Sequence, residues 1–123
     1  MLHSTTWTPP ITGYVKLNFD VDLVADNITK WGIILRDYDG NIFMAGVKHY
    51  PGCAGAPLEE ARACFRGLAC ARAYGIRNVI IESDCQELIQ MLRNKSIFLN
   101  SISLCVRDII FLFKILIFIL RLL

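Results

Sequence analysis

The stretch NVIIESDCQEL, residues 78 to 88, decides how this chain is read. Val79, Ile80 and Ile81 form a continuous apolar run, the pattern of a strand buried on both faces. The run leads directly into Glu82-Ser83-Asp84, and carboxylates at the end of a buried strand require a reason. One reason is local. Asp84 and Glu87 have the spacing of an N-cap and its capping-box partner, for a helix expected from Cys85 to about Arg93. The other is that Asp84 holds a ligand.

The rest of the chain supplies partners for this strand. YVKLNFD (14 to 20) alternates, with Val15, Leu17 and Phe19 on one side and Lys16, Asn18 and Asp20 on the other, which predicts a first strand. Ala25-Asp26-Asn27 supplies turn chemistry before a second strand over 30 to 37. Asp39-Gly40-Asn41 is a hairpin signal into a third strand over 41 to 50. Pro51-Gly52 and Gly55 to Pro57 break the chain, and a helix is expected from Leu58 to Tyr74, stopped by Gly75. Three hairpin-linked strands, a helix, the 78–83 strand and a further helix make an α/β domain with a mixed sheet. The helix before the fourth strand is the crossover that parallel pairing requires.

Composition bounds the function. A chain of 123 residues fits one domain, and a net charge of +2 argues neither for nor against nucleic acid. Cys53, Cys64, Cys70, Cys85 and Cys105 contain no C-x-x-C pair, which fits neither a zinc site nor a disulfide framework. They predict reduced thiols in an intracellular compartment, nuclear or cytoplasmic alike. MLHSTTWTPP at the N-terminus has no signal-peptide core, so the Asn27-Ile28-Thr29 sequon reads as a chance match.

The hydrophobic fraction of 54% and the mean hydropathy of +0.45 are high, and the excess sits at the C-terminus. In residues 109 to 123 only Lys114 and Arg121 are polar. Ile115 to Leu120 can form one buried strand of about 20 Å, expected beside the fourth and flanked by Lys114 and Arg121. A helix from Ile102 through Leu123 is the rival, since no Gly or Pro interrupts it. A membrane anchor is disfavoured, because a span needs about 20 apolar residues and Lys114 interrupts this one.

Helical phase separates the two acids at the start of the long helix. Counting i+4, i+7, i+8 and i+11 from Glu60 reaches Cys64, Gly67, Leu68 and Ala71, a stripe suited to packing on a sheet. Glu59 has Arg62 at i+3 and Arg66 at i+7, and reads as a surface residue with basic neighbours. If strands one and four are parallel neighbours, Asp20 and Asp84 lie at C-terminal strand ends, where open α/β sheets place their ligand crevice. Glu60 can project into the same crevice. Three carboxylates meeting there repel unless a cation sits between them, and hard oxygen ligands suit Mg²⁺ or Mn²⁺. Asp84 is then expected to hold a divalent metal and to cap its helix as well.

With those residues in place, the chain resembles a known family. Trp7-x-Pro9-Pro10, Gly13-x-x-Lys16-Leu17-Asn18-x-Asp20, and Gly32-x-x-x-Arg36-Asp37-x-x-Gly40 are similar to ribonuclease H-type domains of plant proteins related to retrotransposon reverse transcriptases. So are Glu60-Ala61 with Gly67-Leu68, and Glu82-Ser83-Asp84. The likeness covers residues 7 to 114, leaving 115 to 123 as a divergent apolar tail. It implies a ribonuclease H-like fold and metal-dependent hydrolysis of the RNA strand of an RNA–DNA hybrid. By that resemblance the first three catalytic, metal-binding carboxylates fall on Asp20, Glu60 and Asp84. Arg62, Arg66, Arg72 and Arg77 offer positive charge for phosphates.

The chain also departs from the family. Val21 stands where the family has a small residue after its first Asp, and Asp22 lies on the same strand face as Asp20. The family's Arg-Glu-x-Asn stretch, with its fourth acidic position and nearby helix, has no counterpart, so the expected fold is incomplete at a truncated C-terminus. Asp108 belongs to the polar face of a helix, and His3 and His49 are far from where a catalytic histidine would fall. A catalytically weak or vestigial nucleic-acid-binding domain is therefore the alternative reading, and a tail-anchored membrane protein the remaining one.

Overall fold

The computed structural model describes residues 13–25, 27–52, 55–94, 101–112 and 117–123. Expectations placed on His3, Trp7, Pro9, Pro10, Asp26, Cys53 and Lys114 lie outside them. The elements follow as β1 (Val15–Ala25), β2 (Ile28–Arg36), β3 (Ile42–Pro51), α1 (Ala56–Ala73), β4 (Asn78–Ser83), α2 (Gln86–Asn94), α3 (Ser101–Leu112) and β5 (Ile117–Leu122). The strands form one sheet in the order β3-β2-β1-β4-β5. β1–β2 and β2–β3 are antiparallel, whereas β1–β4 and β4–β5 are parallel.

Local chemistry explains the joints. In the β2–β3 turn, Asp37 Oδ1 accepts hydrogen bonds from the backbone N–H groups of Asp39 (3.0 Å) and Asn41 (2.9 Å). Gly40 there takes the positive φ of 85° that the turn needs. Pro57 supports the start of α1, since its missing N–H belongs to the group of donors a helix leaves unpaired. The helix closes with two reversed bonds, Gly75 N–H to the Arg72 carbonyl (2.9 Å) and Ile76 N–H to the Ala71 carbonyl (3.0 Å). This is a Schellman end with Gly75 in the left-handed conformation, so the expected stop is met.

α1 lies across β1 and β2 and is flanked by α3. Leu17, Leu35, Leu68, Ile81, Leu88, Leu92, Val106 and Ile109 form part of the buried core between these layers. Gly67 brings α1 close to the sheet, because a Cβ there would lie 2.5 Å from Leu17 Cδ1 and 3.3 Å from Ile33 Cγ2. β4 is buried over Val79–Ile81, as its continuous apolar run predicts, and the burial extends through Glu82 and Ser83.

The C-terminal apolar run forms β5, pairing with β4 from Asn78↔Ile117 to Ser83↔Leu122. Ile115 and Leu116 lie outside the described residues, and Arg121 lies inside the strand rather than beside it. The rival continuous helix is not formed, since α3 ends at Leu112. Among the described residues no helix is long and apolar enough to cross a membrane.

Candidate metal centre

The β1–β4 ladder positions the acids. Its last rung pairs Asn18 with Glu82, and β4 ends at Ser83. β1 continues against β2 to Ala25, so Asp20 is mid-strand and not at a strand end as expected. The difference has a simple cause: the long antiparallel hairpin with β2 outlasts the shorter parallel pairing. Asp20 therefore lies just past the last rung shared with β4. Asp84 is the first residue after β4 and is exposed, whereas Asp20 is buried.

Glu60, near the start of α1, is buried at 7% exposure. Burial raises its carboxyl to about 7, aided by the negative charges of Asp84 and Asp22, while a hydrogen bond from the Val21 backbone works the other way. The Val21 N–H also donates to Asp20 Oδ1 at 2.9 Å. Asp84 and Asp22 thus act on Glu60, and the Val21 backbone that meets Glu60 also meets Asp20. Glu60 Oε2 is buried and accepts no hydrogen bond among the described residues. An orphaned carboxylate oxygen, repelled by two further carboxylates, fits a hard divalent cation by its chemistry. Among the described residues, however, no three His, Cys, Asp or Glu side chains converge closely enough to hold an ion as they stand.

Two further expectations at this site are corrected. Glu59 is not a surface residue; its side chain is fully buried, with Oε1 accepting from Arg62 Nη1 at 3.0 Å. Counting helical phase assumed one buried face, but α1 is covered by α3 as well as by the sheet. Asp84 does not cap α2. The helix starts at Gln86, the Cys85 carbonyl takes the first bond from Ile89 N–H (3.1 Å), and Ser83 Oγ accepts from Cys85 N–H (3.0 Å).

Other candidate groups lie elsewhere. Asp108 is exposed on α3 and, with Trp31, Arg62 and Arg66, lines a pocket of about 470 Å³ that contains none of Asp20, Glu60 and Asp84. His49 is exposed on β3. Cys64, Cys70, Cys85 and Cys105 are free thiols.

Sequence reasoning missed the surroundings of Glu82. This buried carboxylate accepts from Asn18 Nδ2 (2.9 Å) and pairs with Lys16 Nζ (3.0 Å) and Arg121 Nη1 (3.1 Å). Burial alone would raise its carboxyl, but the bonds from Asn18, Lys16 and Arg121 together hold it below the usual carboxylate range. The only signal was Glu82 itself, an acid inside an otherwise apolar strand, since its partners are 39 to 66 residues away by the positions of Arg121 and Lys16.

Comparison with known proteins places this architecture. RNase H1 from the halophilic archaeon Halobacterium salinarum superposes with a TM-score of 0.79 at 19% identity, covering 90% of this chain and 86% of that one. The N-terminal RNase H domain of a Mycobacterium tuberculosis protein gives 0.78 at 13% identity, over 89% and 86%. LC11-RNase H1 from compost, in complex with RNA/DNA hybrid, gives 0.68 at 12% identity, over 89% and 84%. These likenesses establish a ribonuclease H-like fold. No curated protein matches the sequence. The profile described as "Reverse transcriptase-like" matches residues 18–118, and the chain belongs to that reverse transcriptase-like family.

Proposed function

We propose that this chain is a ribonuclease H-type, nucleic-acid-binding domain that hydrolyses the RNA strand of RNA–DNA hybrids with Mg²⁺ or Mn²⁺. The observation that carries the reading is Glu60: a buried carboxylate raised to about 7 beside Asp84 and Asp22, with one oxygen unpartnered among the described residues. Such an arrangement is unfavourable in the metal-free protein and favourable around a divalent cation. Asp20, Glu60 and Asp84 would hold the metal, and Asp22 is within their field. Bound metal would supply activation of water and stabilisation of charge on the leaving oxygen.

The chain's own residues do the positioning. The Val21 N–H fixes the Asp20 carboxylate against β1. Glu60 is held by the packing of α1 on β1 and β2, and Asp84 by the end of β4. With its carboxyl raised to about 7, Glu60 would give up a proton when a cation binds near neutral pH. Exposed Arg66, Arg72 and Arg77 offer charge for phosphates, whereas Arg62 is already engaged by Glu59. Discrimination of RNA from DNA would rest on the 2′-hydroxyl, read through groove shape. The compost enzyme's structure holds an RNA/DNA hybrid, which supports this substrate class for the fold.

The test is Mg²⁺-dependent cleavage of a labelled RNA–DNA hybrid, with single-stranded RNA and duplex DNA as controls and Asp84→Asn as the inactive reference. Cleavage of the hybrid alone supports the reading, and metal-independent or Asp84-independent cleavage sinks it. A second reading, a domain that binds nucleic acid without cutting it, is favoured by one observation: among the described residues the acids do not yet converge on an ion position. Hybrid binding without cleavage at any Mg²⁺ or Mn²⁺ concentration would select that reading.

A further inference from the structure

The last β1–β4 rung, Asn18↔Glu82, stands one strand repeat before Asp20 on β1 and before Asp84 beyond β4. Side chains two residues apart on a strand share a face, so Asn18 lies on the same face of β1 as Asp20, and Glu82 precedes Asp84 by two residues at the end of β4. No further β1–β4 rung fixes Asp84 relative to Asp20, because the parallel pairing ends there. The side chains of the last rung do so instead. Glu82 accepts from Asn18 Nδ2 at 2.9 Å and meets Lys16 Nζ at 3.0 Å, both on β1. It meets Arg121 Nη1 at 3.1 Å on the other side, from β5. Leu123 N–H then closes onto the Ser83 carbonyl at 2.9 Å, one residue before Asp84. One carboxylate therefore ties three adjacent strands together, two residues before Asp84 in the chain and level with Asn18, two residues before Asp20.

The environment strengthens these ties. The Glu82 and Lys16 side chains are 6% and 1% exposed, where ionic hydrogen bonds are strong and leaving one partner alone is costly. Arg121 is 39% exposed, which makes it the partner that can be changed without stranding a buried cation.

We propose that Glu82 is a positioning residue of the carboxylate site, holding the middle of β1 and the end of β4 in register through Lys16 and Asn18 and tied to β5 by Arg121. It touches no reacting group, and it acts on Asp20 and Asp84 through the backbone they share with Asn18 and Glu82. This inference rests on the metal-binding reading above. It adds that the C-terminal strand contributes to the site, although none of the acids lies on it.

The test measures Mn²⁺ affinity of the full chain by electron paramagnetic resonance, well below the unfolding temperature, for wild type, Arg121→Met, Arg121→Lys and Asp84→Asn. Removing a residue that holds a metal ligand in place weakens metal binding by about tenfold at the low end. Arg121→Met is therefore expected to lose about tenfold in affinity, and Arg121→Lys to recover most of it. Charge alone predicts the opposite sign, because deleting a nearby positive charge should tighten cation binding. A merely structural role would lower the melting temperature and leave the affinity of the folded protein unchanged. Unchanged or tighter Mn²⁺ binding by folded Arg121→Met, with wild type binding normally, overturns this inference alone. Absence of Mn²⁺ binding in wild type, or binding undiminished in Asp84→Asn, overturns the metal reading and this inference with it. Should Arg121→Met not fold, Arg121→Gln, which removes the charge and leaves the buried Glu82–Lys16 pair in place, enters the same assay with the same tenfold loss expected and unchanged binding overturning the inference.

Discussion

Replacing Glu60 with glutamine should stabilise the metal-free protein, and only above mildly acidic pH. Glu60 is raised from 4.5 to about 7 by burial and by Asp84 and Asp22. At about 1.4 kcal/mol per unit this corresponds to about 3 kcal/mol. Part of it comes from carboxylates near solvent, whose effect is screened, so a gain of about 2 kcal/mol is expected for Glu60→Gln. The sign follows from where the proton stays. Below pH 4.5 both folded and unfolded chains hold it, and the charge contributes no difference. Between 4.5 and 7 the unfolded chain releases it first, so wild-type stability falls as pH rises; above 7 the penalty is complete. Urea denaturation of wild type and Glu60→Gln in EDTA, at pH 4.5 and pH 8, isolates this group because other titrations cancel in the difference. The gap should open by about 2 kcal/mol from the lower to the higher pH, and saturating Mg²⁺ should close or reverse it. A gap that is the same at both pH values would refute the placement of Glu60 among the carboxylates.

Three further outcomes are expected. Arg62→Gln should destabilise by about 1–2 kcal/mol, because it leaves the buried Glu59 carboxylate unpaired, whereas Glu59→Leu should be nearly neutral or stabilising in the same denaturation assay. Gly67→Ala should gain about 1 kcal/mol of helix propensity but lose more by driving a Cβ to 2.5 Å from the buried Leu17, for a net loss of about 1 kcal/mol by thermal unfolding. Deleting residues 117–123 removes the strand paired along all of β4 and should abolish cooperative unfolding, seen as a broad, shallow urea transition; a sharp transition at the original midpoint would show that β5 is dispensable.

The order of elements was legible in the chain because it is encoded in short-range spacing. Alternation at i+2 marked β1, the continuous Val79–Ile81 run marked a doubly buried strand, and Gly75 marked the end of α1, all within a few residues of the feature they specify. Helical phase and the expected parallel pairing singled out Asp20, Glu60 and Asp84, and in the structure Asp84 and Asp22 act on the buried Glu60. Three matters depended on packing between distant segments. Glu59 is buried because α3 covers a second face of α1, which no count along one helix reveals. Asp20 lies mid-strand because the β1–β2 hairpin is longer than the β1–β4 pairing. Glu82 meets Lys16, Asn18 and Arg121 because register aligns residues far apart in sequence, and burial then makes those meetings strong. Periodicity is a property of neighbouring residues, whereas register, burial and local dielectric arise only when whole elements are packed together.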